Sequence, residues 1–122
     1  MVKTTPTATA GDQAAERLSL LAKALSDPTR LRMLKMMVVG RPCCEGATCA
    51  PSVPADASTT GICVCEFQYV FGLGQSRVSY HLRVLKESGL VDEETKGKWT
   101  FYSLNKKTAR ELGGLLGEFL DG

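Results

Sequence analysis

The 122-residue chain has no apolar run approaching the roughly 18 residues needed to cross a bilayer. Its opening stretch, Met1 to Gly11, carries one lysine and nothing resembling the apolar core of a signal peptide. Neither a membrane span nor Sec-type secretion is expected, and the cytoplasm is the expected compartment. Histidine is nearly absent: His81 stands alone, which excludes a histidine-rich metal centre. There is also no βαβ pattern and no His/Asp pair to activate a nucleophile, so a thiol oxidoreductase, or any other enzyme, is not expected. Charge of one sign is scarce too, with 15 Lys+Arg against 13 Asp+Glu and a formal charge of +2. With 43% hydrophobic and 23% charged residues the chain is too balanced for wholesale disorder, and its length suits one domain with one core.

The basic excess is local. Residues 75–107 hold Arg77, Arg83, Lys86, Lys96, Lys98, Lys106 and Lys107 against Glu87, Asp92, Glu93 and Glu94, a balance of +3, while 108–122 come to −2. That pattern suits a small anion-facing surface. Five cysteines, Cys43, Cys44, Cys49, Cys63 and Cys65, are the compositional anomaly. An odd count without a signal peptide argues against a secreted disulfide framework and for thiols that serve metals or redox chemistry.

Along the chain, residues 1–12 read as a disordered tail and 13–120 as the folded domain. Ala14, Leu18, Leu21, Ala22 and Leu25 recur at helical spacing. Asp27-Pro28 then supplies a cap and a first-turn proline for a second helix, with Leu31, Leu34 and Val38 as its expected buried stripe. A Cys/Pro-rich insertion follows at 40–62, longer than compact domains usually tolerate without a use; the plain alternative is a floppy segment with incidental cysteines. A short helix is expected over Cys63–Phe71, with Phe67, Val70 and Phe71 facing the core. Gly72-Leu73-Gly74 breaks it, and a stronger helix runs from Gln75 to Ser88 with Gly89 at its left-handed end. Val91–Thr95 and Lys98–Leu104 alternate polar and apolar residues about Lys96-Gly97, a hairpin signal. The last helix, Lys106–Leu120, places Leu112, Leu115, Leu116 and Phe119 on one face, and its three glycines make it dependent on packing.

On a wheel for Gln75–Glu87, Leu82 and Leu85 lie within about 40° of Val78, while Ser76, Tyr80 and Arg83 lie opposite, flanked by Arg77 and Ser79. Hydroxyls and a guanidinium suit phosphate oxygens and base edges in a major groove. An ordinary solvated face is the alternative, but Lys96 and Lys98 at the tip of the adjoining hairpin add phosphate-reaching cations. The class implied is mainly α with a small β-hairpin wing: a winged helix-turn-helix on double-stranded DNA. Trp99 is read as core or hinge packing rather than a base-stacking surface, and His81 as a half-buried residue hydrogen-bonded within the unit.

The segments ALSDPTRLRML, ICVCEF, GLGQSRVSYHLRVLKESGLV and KGKWTFYSL, in this order, resemble the ArsR/SmtB family of winged-helix metal-sensing repressors over about residues 14–119, the insertion excepted. The resemblance implies a homodimer through the first and last helices, seated on a near-palindromic operator and released by an inducer. By motif position it implies an operator-facing set of Gln75, Ser76, Ser79, Tyr80 and Arg83.

In that family, similar Cys-x-Cys sites hold arsenite or antimonite through three sulfurs, or cadmium or lead through three or four. Residues i and i+2 of a regular helix point about 200° apart, so Cys63 and Cys65 converge only if the helix start is distorted. Binding there would reshape the helix on which the recognition helix packs. Helix N-terminal amides are expected to lower the thiol pKa. The family's arsenite sensors commonly carry a further cysteine where this chain has Gln68, so a third sulfur must come from Cys43, Cys44 or Cys49, and loop closure costs little more for a long loop. The preferred set is Cys63 and Cys65 with Cys43 or Cys44. A Cys43–Cys44 pair with one helix-three cysteine is the other arrangement, and Cys49 ranks last among the three candidates for the third sulfur. Zinc and nickel sensors of the family carry histidine in the last helix, which this chain lacks. The expected inducer is arsenite (As(III)) or antimonite, with Cd(II) or Pb(II) as the alternative, and a redox sensor using the same thiols as another.

Overall fold

The computed structural model describes residues 10–39 and 61–121. The start of the expected tail and most of the insertion, with Cys43, Cys44 and Cys49, lie outside the described residues. Helix α1 spans Ala10–Ala24, so the helix begins inside the stretch read as tail. Leu21 and Ala24 are buried and Leu18 and Leu25 partly so, whereas Ala22, expected on that stripe, is exposed one helical step to its side.

Helix α2 spans Pro28–Val39, entered as the sequence indicates: Asp27 Oδ1 accepts the Thr29 N–H at 2.7 Å, and Pro28 takes the first helical position, where no N–H is needed. That N–H is the main reason the Asp27 carboxyl sits below its ordinary pKa. The expected stripe is corrected. Leu31 is 49% and Val38 61% exposed, Leu34 is only partly buried, and Arg30, Met33, Met36 and Met37 are buried instead. Unbranched, polarizable methionines fill the irregular space, and the helix is rotated to bring Arg30 inward.

Strand β1, Ile62–Cys63, was not expected; helix α3 begins after it, at Val64, and ends at Phe71. Ile62, read as the end of the insertion, is wholly buried. Phe67 is buried and Phe71 packs on the core, but Val70, expected inward, is 42% exposed. Gly72 closes α3 with φ 65°, a left-handed conformation that suits glycine. Helix α4, Gln75–Glu87, buries Val78, Leu82 and Leu85 completely. Gly89, at φ 90°, turns the chain into β2, Val91–Lys96, and β3, Trp99–Leu104. The expected Lys96-Gly97 turn is corrected by one residue: Lys96 pairs with Trp99, and the turn is Gly97-Lys98, with positive φ only at Gly97, the requirement of a tight hairpin that takes glycine first.

The sheet is therefore three-stranded and antiparallel in the order β1-β3-β2, with Cys63 opposite Phe101 and Ile62 opposite Tyr102. Strand alternation gives it two faces. Ile62, Tyr102, Leu104 and Val91 pack into the main core with Phe67, Leu21, Met33 and the α4 seam, while Cys63 and Phe101 form a separate cluster flanked by Cys65 and Trp99.

Helix α5, Lys106–Asp121, is capped by Asn105, whose Oδ1 accepts the Thr108 N–H at 2.9 Å. Leu112 and Leu115 pack against the core, but Leu116 and Phe119 are exposed. The expected single face is thus divided: the core occupies only part of it. Arg17 of α1 joins α5 through a two-pronged pair, Nε to Glu111 Oε2 at 2.9 Å and Nη2 to Oε1 at 3.0 Å.

Candidate nucleic-acid interface and thiol site

Gln75, Ser76, Arg77, Ser79, Tyr80 and Arg83 of α4 are all exposed, and Ser76, Tyr80 and Arg83 lie opposite the buried Val78–Leu82–Leu85 seam. The Arg83 guanidinium carbon lies 5.9 Å from the Tyr80 ring centroid, so the aromatic face steadies the cation at the surface. At the wing tip Lys96 and Lys98 are exposed, and Lys98 Nζ lies 5.3 Å from the centroid of half-buried Trp99. The sequence-selected cations and hydroxyls therefore share the exposed surface of one helix and the hairpin that follows it.

Beneath that helix is an interaction that the sequence reading missed. Arg30, 8% exposed, donates through Nε to the Ala24 carbonyl at 2.7 Å, and its Nη1 lies 2.9 Å from His81 Nδ1. A guanidinium has only donors, so Nδ1 accepts and the imidazole is neutral. Burial is the main cause of the lowered His81 pKa; Asp27 opposes the shift, and Arg30 and Arg77 add to it. The expectation of a half-buried His81 bonded within the helix-turn-helix is thus corrected: His81 is buried, and its hydrogen-bond partner, Arg30, stands on α2 outside that unit. The available signal was Asp-Pro-Thr-Arg at the start of α2, where an arginine occupies a position facing the core. Arg30→Ala is expected to cost about 3 kcal/mol, because both the Ala24 carbonyl and His81 lose a charged donor in a buried setting. Urea unfolding measures this, and a loss below about 0.5 kcal/mol would show that the pair holds nothing together.

Cys63 and Cys65 are free thiols with their sulfurs 2.9 Å apart. The distortion needed for convergence is present: Cys63 is the N-cap of α3, extended at φ −80° and ψ 153°, so only Cys65 is helical. The Cys63 N–H donates to Glu66 Oε1 at 2.8 Å, holding this start in place. The expected lowering of the thiol pKa is corrected for Cys63, which is pushed up to about 12. Burial is the largest cause, followed by the hydrogen bond with Cys65. The Cys65 backbone N–H on the sulfur acts in the opposite direction, so the helix-start effect exists but loses to desolvation. Among the described residues no group of three or more His, Cys, Asp or Glu side chains is arranged to hold a metal ion. The described chain supplies two converging sulfurs, and a ligand shell of three needs a donor from outside it.

A short helix, a glycine turn, a helix with a polar outer face and a two-stranded wing define a winged helix-turn-helix of the kind DNA-binding regulators carry. The fold is shared with a homodimeric winged helix-turn-helix DNA-binding domain from Mycobacterium bovis, a possible ArsR-family transcriptional regulator, at a TM-score of 0.63 and 18% identity over 97% of this chain and 91% of that one. Residues 62–93 match the bacterial regulatory protein, arsR family. The arsenical resistance operon repressor of Bacillus subtilis (strain 168) is 36% identical over 98 residues, 80% of this chain and 72% of its own length. A cadmium resistance transcriptional regulatory protein, a CadC homolog of Staphylococcus aureus, is 28% identical over 74% of this chain and 59% of its own length. The chain belongs to the ArsR family. Family and fold are those of DNA-binding transcription regulators rather than enzymes, and among the described residues no helix is long and apolar enough to cross a membrane.

Proposed function

We propose that this chain is a cytoplasmic repressor that binds operator DNA as a homodimer and releases it when trivalent arsenic or antimony is taken up by Cys63, Cys65 and a third thiol from Cys43 or Cys44. The observation that carries the reading is the 2.9 Å approach of the Cys63 and Cys65 sulfurs at a distorted helix start. Thiolate-type donors select soft or thiophilic elements. Arsenous acid condenses with thiols, each S–H proton leaving with one of its hydroxyls as water, so a protonated Cys63 is compatible with uptake. Both the arsenical and the cadmium relatives support a metal or metalloid inducer.

Operator contact is assigned to Gln75, Ser76, Arg77, Ser79, Tyr80 and Arg83 on α4, with Lys96 and Lys98 on adjacent backbone phosphates. The homodimer is assigned to α1 and α5, where Leu20, Leu116, Phe119 and Leu120 are exposed apolar residues beside the Arg17–Glu111 link. One specific observation favours a second reading: sulfurs this close suit disulfide formation, a hydroperoxide taking both thiol protons and two electrons and leaving as alcohol and water.

The experiment is operator binding by the reduced, full chain with arsenite, cadmium, lead or a hydroperoxide added, repeated with Cys43→Ser/Cys44→Ser. Release by arsenite, lost in the double variant, is the expected result. Release by cadmium or lead but not arsenite would assign the ion alternative, and release by the hydroperoxide alone would replace the inducer with an oxidant.

A further inference from the structure

The strand absent from the sequence reading, β1, pairs Cys63 of the thiol pair with the wing. Cys63 is opposite Phe101 on β3, and both are buried in one cluster with Cys65 and Trp99 against it. Phe101 and Trp99 are two residues apart on one strand and so share a face. Lys96 is the cross-strand partner of Trp99 in the hairpin, and Lys98 stands over the Trp99 ring at 5.3 Å. A file of neighbouring side chains therefore runs from the sulfurs through Phe101 to Trp99, and Trp99 meets the tip through the Lys98 cation on its ring and through its cross-strand pairing with Lys96.

We propose that Phe101 and Trp99 are positioning residues through which occupation of the thiol pair withdraws the wing lysines from DNA, so that inducer acts first on the wing's phosphate contacts and not on the base-facing side of α4. This rests on the function proposed above and goes beyond it by naming the element that lets go. The physical reason is packing. A guest bonded to both sulfurs has to push apart atoms now 2.9 Å from each other, and Cys63 is enclosed by Phe101. Close-packed interiors transmit such a displacement rather than absorb it. The wing tip is the exposed end of this file, whereas α4 is held from beneath by Arg30 and by its own fully buried seam.

The test is the salt dependence of binding, using the full chain, a duplex selected by the protein from a random pool, and sodium arsenite as probe. Arsenite uptake is followed separately by the loss of free thiols in every variant, and by Trp99 fluorescence where Trp99 is kept. Each phosphate that the protein lets go flattens the slope of log affinity against log salt by about 0.9. Arsenite is expected to flatten the slope by about the amount that Lys96→Ala/Lys98→Ala does, to have little further effect in that double variant, and to leave the ratio of selected to random duplex binding nearly unchanged. Trp99→Phe, which keeps an aromatic platform, is expected to retain the response, and Trp99→Leu to take up arsenite with a response reduced by tenfold or more. Uptake with release at an unchanged slope, or with collapse of the selectivity ratio, would assign release to α4 and overturn the proposal. Absence of uptake would instead remove the proposed function itself, and the wing route with it.

Discussion

Cys63→Ser is expected to abolish the arsenite-driven fall in operator affinity, reducing a response in the usual allosteric range of about 5–150-fold to less than about twofold. The substitution is mild for the fold. Serine is a favoured N-cap, so α3 keeps its start, and the backbone N–H of position 63 still donates to Glu66 Oε1. What is lost is one of the two sulfurs described, and a hydroxyl at that place is a hard oxygen donor where a soft one is needed. Operator titration with and without arsenite reads the result. A response of unaltered size in the variant would place the inducer elsewhere.

Arg83→Ala is the second change of large expected effect. Arg83 is exposed on the side of α4 opposite the core seam, and its guanidinium is held over Tyr80. A bidentate arginine on a guanine edge discriminates by about 1–3 kcal/mol, so operator affinity is expected to fall by about 5- to 150-fold with selectivity relaxed at one base position. Arsenite uptake, measured by free thiols, stays intact. A uniform loss across all duplexes with a flatter salt slope would make Arg83 a phosphate contact, and no loss at all would mean that a different face enters the groove.

The elements whose side-chain period was long enough to read were legible in the sequence. The α4 seam, the Asp27 cap and the polar outer face follow from spacing alone and the structure places them as expected; the hairpin was legible too, but its turn falls one residue later than the alternation indicated, because Lys96 pairs with Trp99. β1 was not legible because two residues carry no period; its existence depends on the partner strand that Phe101 and Tyr102 provide. The α2 stripe was misread for a tertiary reason. Leu31 and Val38 are the more obvious apolar residues, but Arg30 has to reach His81 and the Ala24 carbonyl, and the helix turns its methionines inward to allow it. Similarly, α5 showed one apolar face where the protomer's core accepts only Leu112 and Leu115.

At the thiol site the spacing argument gave the correct condition and the wrong electrostatics. Convergence of Cys63 and Cys65 did require a broken helix start, supplied by the extended Cys63 that pairs with β3. The same pairing buries the sulfur against Phe101, and burial outweighs the helix-start amides. Sequence spacing specifies which atoms can meet, while the pKa depends on what surrounds them, and here that surrounding comes from a strand nearly 40 residues downstream.

The most direct measurement is X-ray absorption at the arsenic edge on the arsenite-loaded full chain and on its Cys63→Ser variant. A three-sulfur shell in the unaltered chain that loses a sulfur neighbour in the variant is the predicted result. The same three-sulfur shell in both would show that Cys63 is not a ligand and would contradict the account.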